Sequence, residues 1–253
     1  MSTSSVISGD LAVALVVEGA VSEDMAAQCA ALGLRISSQP SSIPGAAAVL
    51  LAGAAEEAAV RRGLAEPFQG FLQLGDEGIL GVGFRCLETA RAGGFALSLL
   101  TRQAYGLNTL DLVSEAIRRN FGFPLGEVAD LMDICVGEAL GNAVIHGNLG
   151  IPSHLRTTAE GFEEFRAILR ERLADPILAC RRVEICVRPL GKDHLCISVS
   201  DQGHGFDLAT QLARSVQSSA KCGRGLGLIR RLCASVLGED GGRTLSMTFA
   251  RHG

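Results

Sequence analysis

The chain has 253 residues, 47% of them hydrophobic and 20% charged, which is enough for one large domain or two small ones with a core that needs no staples. A net charge of −4, an aromatic share of 4% and the lack of any Trp argue against a nucleic-acid binder, which needs a basic face or stacking platforms. The run Leu11 to Val17 is too short to cross a bilayer and no basic region precedes it, so the expectation is a soluble, cytoplasmic protein without a membrane partner.

The first part, residues 1–106, reads as alternating strands and helices. Leu11 to Val17 is an apolar run suited to a buried strand. Ser22 is placed to cap a helix through Leu32, with Glu23 and Asp24 at its positive end. Leu34 to Ser37 and Ala46 to Leu51 read as further strands, Ala54 to Ala65 as an Ala-rich helix, and Phe95 to Leu100 as another apolar run. This alternation predicts a parallel sheet and resembles a response-regulator receiver domain. A working receiver would need an acidic cluster after its first strand, a phosphoacceptor Asp after the third and a Lys after the last. Here Glu18 stands nearly alone, Ala52-Gly53 follows the third strand and Thr101-Arg102 follows the last. The region is therefore either a degenerate receiver serving docking or dimerisation, or an unrelated α/β module.

The second part, residues 107–253, opens with a helical pattern from Thr109 to Asn120. F-G-F-P interrupts it, and a long periodic helix follows from Leu125 to His146, with Gly147 to Pro152 ending it. Glu163 to Leu173 reads as a charged helix closed by Asp175-Pro176. Arg182 to Arg188 and Leu195 to Ser200 read as strands joined by the turn Gly191-Lys192-Asp193. Leu226 to Leu237 reads as a helix and Thr244 to Ala250 as a last strand. The eight cysteines form no C-x-x-C pair and no zinc-ligand spacing; they read as buried thiols in a reducing compartment.

Three strings carry chemistry. In E-A-L-G-N-A-V-I-H-G, Glu138 and Asn142 are four apart and share one face of an otherwise apolar helix. Asn142 could offer its carbonyl oxygen to Mg²⁺, and Glu138 could orient or deprotonate a nucleophile beside a γ-phosphate; alone, such a pair is more often a solvated stripe. His146, one turn on, reads as a capping or packing residue. In D-Q-G-H-G-F-D a strand runs into Asp201, and Gly203 and Gly205 permit a tight turn and close approach of backbone to a ligand; alone this is an ordinary Asp/Gly turn. G-R-G-L-G-L places Gly223, Gly225 and Gly227 at the opening of a helix, where backbone N–H groups suit phosphate, with Lys221 and Arg224 adding positive charge. The chain ends too soon after it for a Rossmann unit.

Taken in order, the strings resemble the N, G1 and G2 boxes of the GHKL ATP-binding superfamily, which includes gyrase and the histidine kinases. The resemblance runs from about Asn108 to the end and implies a Bergerat-type two-layer α/β sandwich with a mixed sheet, here preceded by a smaller α/β domain. It also implies ATP and Mg²⁺ as ligands, with Asp201 accepting from the adenine amine. E-x-x-x-N-A-x-x-H-G and G-R-G-L-G-L-I-R-R-L are similar to the anti-sigma-factor serine/threonine kinases, whose partners are STAS-type antagonists and sigma factors and which often dimerise. Residues 148–181 depart from that branch by their length. A histidine-kinase-like signalling ATPase is disfavoured because no His precedes His146. Two readings follow: a kinase in which Glu138 activates a hydroxyl and Asn142 holds the metal, or a nucleotide-dependent protein-binding module without phosphotransfer.

Overall fold

The computed structural model describes residues 12–40, 46–123, 126–156, 159–208, 210 and 224–251. Five strands come first: β1 (Ala12–Glu18), β2 (Arg35–Ser37), β3 (Ala46–Ala52), β4 (Phe68–Gln73) and β5 (Phe95–Leu100). Four follow: β6 (Arg182–Leu190), β7 (His194–Ser200), β8 (Ser235–Glu239) and β9 (Thr244–Ala250). All nine lie in one sheet, ordered β2-β1-β3-β4-β5-β6-β7-β9-β8. The first five pair in parallel, and every pairing from β5 onward is antiparallel. The parallel half, 2-1-3-4-5, has the strand order of doubly wound flavodoxin-like sheets.

The expected elements appear with small shifts. Ser22 caps α1 (Glu23–Ala31), its side chain accepting from the Met25 N–H. Ala54 to Ala65 shortens to α2 (Glu57–Gly63). The second part carries α5 (Thr109–Phe121) and α6 (Glu127–Gly141), and residues 159–179 hold α7 (Ala159–Ala174) and α8 (Pro176–Ala179). The sequence does not predict β4, α3 (Phe84–Arg91), α4 (Thr101–Gly106) or the short α8. One expectation is corrected. The helix beginning near Leu226 does not reach Leu237; α9 (Arg224–Leu232) stops, and Ser235–Glu239 instead pairs with β9 along its whole length. Propensity for helix there loses to the ladder hydrogen bonds β9 offers.

Alternation along the strands divides the core between the two faces of the sheet. Val183, Ile185 and Val187 of β6 join one cluster with residues of α5, α6 and α9, whereas Cys186 joins another with α1 and α3. The sheet is continuous across residue 106: β5 and β6 pair from Phe95↔Val187 to Leu100↔Arg182. Arg85 of α3 also reaches Glu239 at the end of β8 (2.7 Å) and Asp240 just beyond it (3.0 Å). Five cysteines are buried, Cys233 is half-buried and Cys180 is exposed; all seven in the described residues are free thiols. Among the described residues no helix is long and apolar enough to cross a membrane.

Candidate nucleotide site

Helix α6 carries Glu138 in its last turn and passes without a break into a π-helical turn, Asn142–Asn148. Such widened turns are rare and recur at functional sites. This one closes with the Leu149 N–H on the Val144 carbonyl at 3.0 Å, and it brings both Gly147 and Asn148 against the strand ends. Glu138 is exposed and Asn142 half-buried. The Glu138 carboxylate reaches the start of α9: a Cβ on Gly225 would stand 2.3 Å from its Oε2. The first and third strings therefore meet, with Gly225 bare so that the carboxylate fits.

The second string meets the first at its other end. Asp201 leaves β7 with its N–H on the Arg243 carbonyl (2.9 Å), and its Oδ1 accepts the Gly203 N–H (2.8 Å). Its carboxylate lies against Gly147, where a Cβ would be 2.5 Å from Cγ; a Cβ on Gly203 would be 2.3 Å from the Gly147 carbonyl oxygen. Gly205 has φ +72°, the left-handed region that glycine adopts without strain, and packs on the Gly241 carbonyl. Burial pushes the Asp201 carboxyl above the ordinary carboxylate value, opposed by the Gly203 N–H and by Arg243 and Arg181.

Asn148 was read in the sequence only as part of a helix terminator, yet it holds this arrangement together. It is fully buried, donates from Nδ2 to Thr101 Oγ1 (2.7 Å) and to the Arg182 carbonyl (2.8 Å), and accepts the Gln202 N–H on Oδ1 (2.7 Å). Arg181 caps its carbonyl at 2.7 Å, and Gln202 in turn accepts the Arg182 N–H at 2.8 Å. The end of β5, the π-turn, the start of β6 and the end of β7 are thus tied through one amide. His146 has a packing role: its Nδ1 is 2.5 Å from the Ile151 carbonyl. The described residues of 148–181 pack on the chain itself, through Phe165 and Leu169 in the core, Arg172 on the Leu149 carbonyl and Arg102 on the Leu173 carbonyl.

Of the ten residues singled out in the sequence, Glu138 meets Gly225, and Asp201 meets Gly203 beside Gly147, as described. Gly227 lies half-buried in α9. Lys221 and Gly223 lie outside the described residues, as does the side chain of Arg224.

The histidine kinase-like ATPase domain family matches residues 103–249. The chain belongs to that family, with an ATPase domain of GHKL type and a smaller α/β region ahead of it. No curated protein matches the chain. The family implies ATP binding, and the residues fit an adenine nucleotide. Asp201 keeps Oδ2 without a hydrogen bond among the described residues. Gly147, Gly203 and Gly225 let Asp201, the Gly147 carbonyl and Glu138 approach more closely than any Cβ would allow, which draws the three strings together.

Proposed function

We propose that the chain is an ATP-dependent serine/threonine protein kinase of the anti-sigma-factor type, phosphorylating a STAS-type antagonist in a partner-switching pathway. The observation that carries this reading is the apposition of Glu138 to the glycine-rich start of α9, in the last turn of α6 before the π-turn whose Gly147 abuts Asp201. It leaves an exposed carboxylate, without a hydrogen bond or ion pair among the described residues, beside the place suited to phosphate. When bound, Mg-ATP supplies the phosphoryl group; such transfer rests on positioning and electrostatics, so few residues suffice.

In this reading Glu138 accepts the proton of the incoming Ser or Thr hydroxyl. Asn142 offers its side-chain oxygen to Mg²⁺. Lys221 and Arg224 offset charge on the transferring group, and Asp201 accepts from the adenine amine. Residues 1–106 serve docking or dimerisation. Two features support a degenerate receiver there: the 2-1-3-4-5 strand order and the occupation of receiver positions by structural contacts. Glu18 pairs with Arg62, and Thr101 is bonded to Asn148 and Arg181.

Incubation with labelled Mg-ATP and candidate STAS proteins tests the proposal: label appears on a Ser or Thr of the partner, and Glu138→Ala abolishes transfer while ATP binding persists. Partner switching that is unchanged in Glu138→Ala would instead make the chain an ATP-gated binding module.

A further inference from the structure

A second cleft, of about 250 Å³, opens on the face of the sheet turned away from α6 and α9. Its walls are the Leu80–Gly83 segment before α3, Arg182 and Glu184 of β6, and Ser200, Asp201 and Gln202. Pockets for drug-sized ligands start near 300 Å³, so this one suits a small metabolite.

Its floor is charged and buried. Arg182 is 3% exposed and Glu184 8%. They are two apart on one strand and therefore share its face. Arg182 uses only Nη1 within the fold, on the Gln73 carbonyl (2.7 Å) and Ser98 Oγ (3.2 Å). Nε and Nη2 make no hydrogen bond among the described residues. Those two N–H groups form the parallel fork that grips a carboxylate in two hydrogen bonds. Glycines border the fork: a Cβ on Gly81 would be 3.2 Å from Nε and 2.9 Å from Glu77 Oε2, and one on Gly75 3.6 Å from Nη2. Glu77, exposed beside Gly81, is not hydrogen-bonded to Arg182. Glu184 is complementary. Its Oε1 accepts the Gly83 N–H (2.7 Å) and Ser98 Oγ–H (3.1 Å), while Oε2 accepts no N–H or O–H among the described residues and the buried Cys86 thiol is the carboxylate's one weak further neighbour there. A buried guanidinium with an idle fork and a buried carboxylate with an idle oxygen, side by side in one small cleft, call for a ligand carrying both charges.

We propose that this cleft binds a small α-amino acid, its carboxylate on the Nε–Nη2 edge of Arg182 and its ammonium on Glu184. The cleft does not rest on the nucleotide reading, although it adjoins that site through Ser200, Asp201 and Gln202, the last accepting the Arg182 N–H.

The test is a titration of the isotopically labelled full chain with L-alanine and, separately, propionate, following the amide resonances of Gly81, Gly83 and Gln202. L-Alanine gives saturable shifts, and propionate, which leaves Glu184 unanswered, binds at least about tenfold more weakly. Arg182→Lys keeps the charge but loses the fork and weakens L-alanine by about tenfold or more. Because Arg182 is buried, Gly81→Ala is the second variant. Its backbone lies outside the left-handed region, so the fold tolerates it, and its methyl crowds Nε and weakens binding similarly. Absence of saturable shifts with L-alanine, equal binding of propionate, or undiminished binding by folded Gly81→Ala overturns the proposal.

Discussion

The carboxylate of Asp201 lies directly on the backbone of Gly147, so close that a Cβ there would stand 2.5 to 2.7 Å from its three carboxyl atoms. A residue at the end of β7 and one in the π-turn after α6 thereby define one wall of the nucleotide site. Gly147→Ala should push the carboxylate out of place at a cost of about 1–3 kcal/mol. Calorimetric titration with ATP should show affinity reduced by about tenfold or more, because 1.4 kcal/mol is a factor of ten.

Gly225→Ala tests the other contact. Its methyl would meet Glu138 Oε2 at 2.3 Å. The exposed carboxylate can swing aside, so urea denaturation should show a change under about 1 kcal/mol. Phosphotransfer should fall much further than ATP affinity, since the group displaced is the one assigned to the hydroxyl proton.

Asn148→Leu removes a buried amide while leaving the Gln202 N–H and the Arg182 carbonyl without it. Each stranded group costs about 1–3 kcal/mol, so equilibrium unfolding should report a loss of about 2–6 kcal/mol.

Much of this could be read from residues close in sequence, and the exceptions are instructive. β1, β3, β6, β7 and β9 declare themselves as apolar runs or alternations, and the first two strings and the described part of the third, from Arg224, sit on helix, strand end and helix start as expected. β4 does not, because F-Q-G-F-L-Q places Gln69 and Gln73 in its alternation. Both glutamines act as hydrogen-bond partners within the sheet: Gln69 accepts the Ala48 N–H at 2.8 Å and Gln73 the Leu100 N–H at 2.9 Å. Asn148 has partners 47, 34 and 54 residues away in sequence, so no local pattern exposes it. The only hint is an amide placed directly after the H-G pair, and that also suits a helix end. β8 reads in sequence as the tail of a helix because its partner strand follows a turn that sequence alone does not join to it.

The pH dependence of Asp201 has two opposite signs. Its folded pKa is raised from 3.8, chiefly by burial, so the folded chain holds this proton more tightly than the unfolded one. Its contribution to stability therefore falls as pH rises from the ordinary value through the raised one. ATP affinity rises through the same window, because only the ionised carboxylate accepts from the adenine amine without its own proton in the way. Stability and ATP titrations across mildly acidic pH should show both slopes, and Asp201→Asn should remove them.

The most direct test of the account is a calorimetric comparison of Mg-ATP and Mg-GTP binding to the full chain. Asp201 presents an acceptor, which suits the amine of adenine and opposes the carbonyl of guanine. The expected result is saturable ATP binding with GTP weaker by about a hundredfold or more, a gap that closes in Asp201→Asn. No heat with ATP, or equal affinity for the two nucleotides in the unmodified chain, would contradict it.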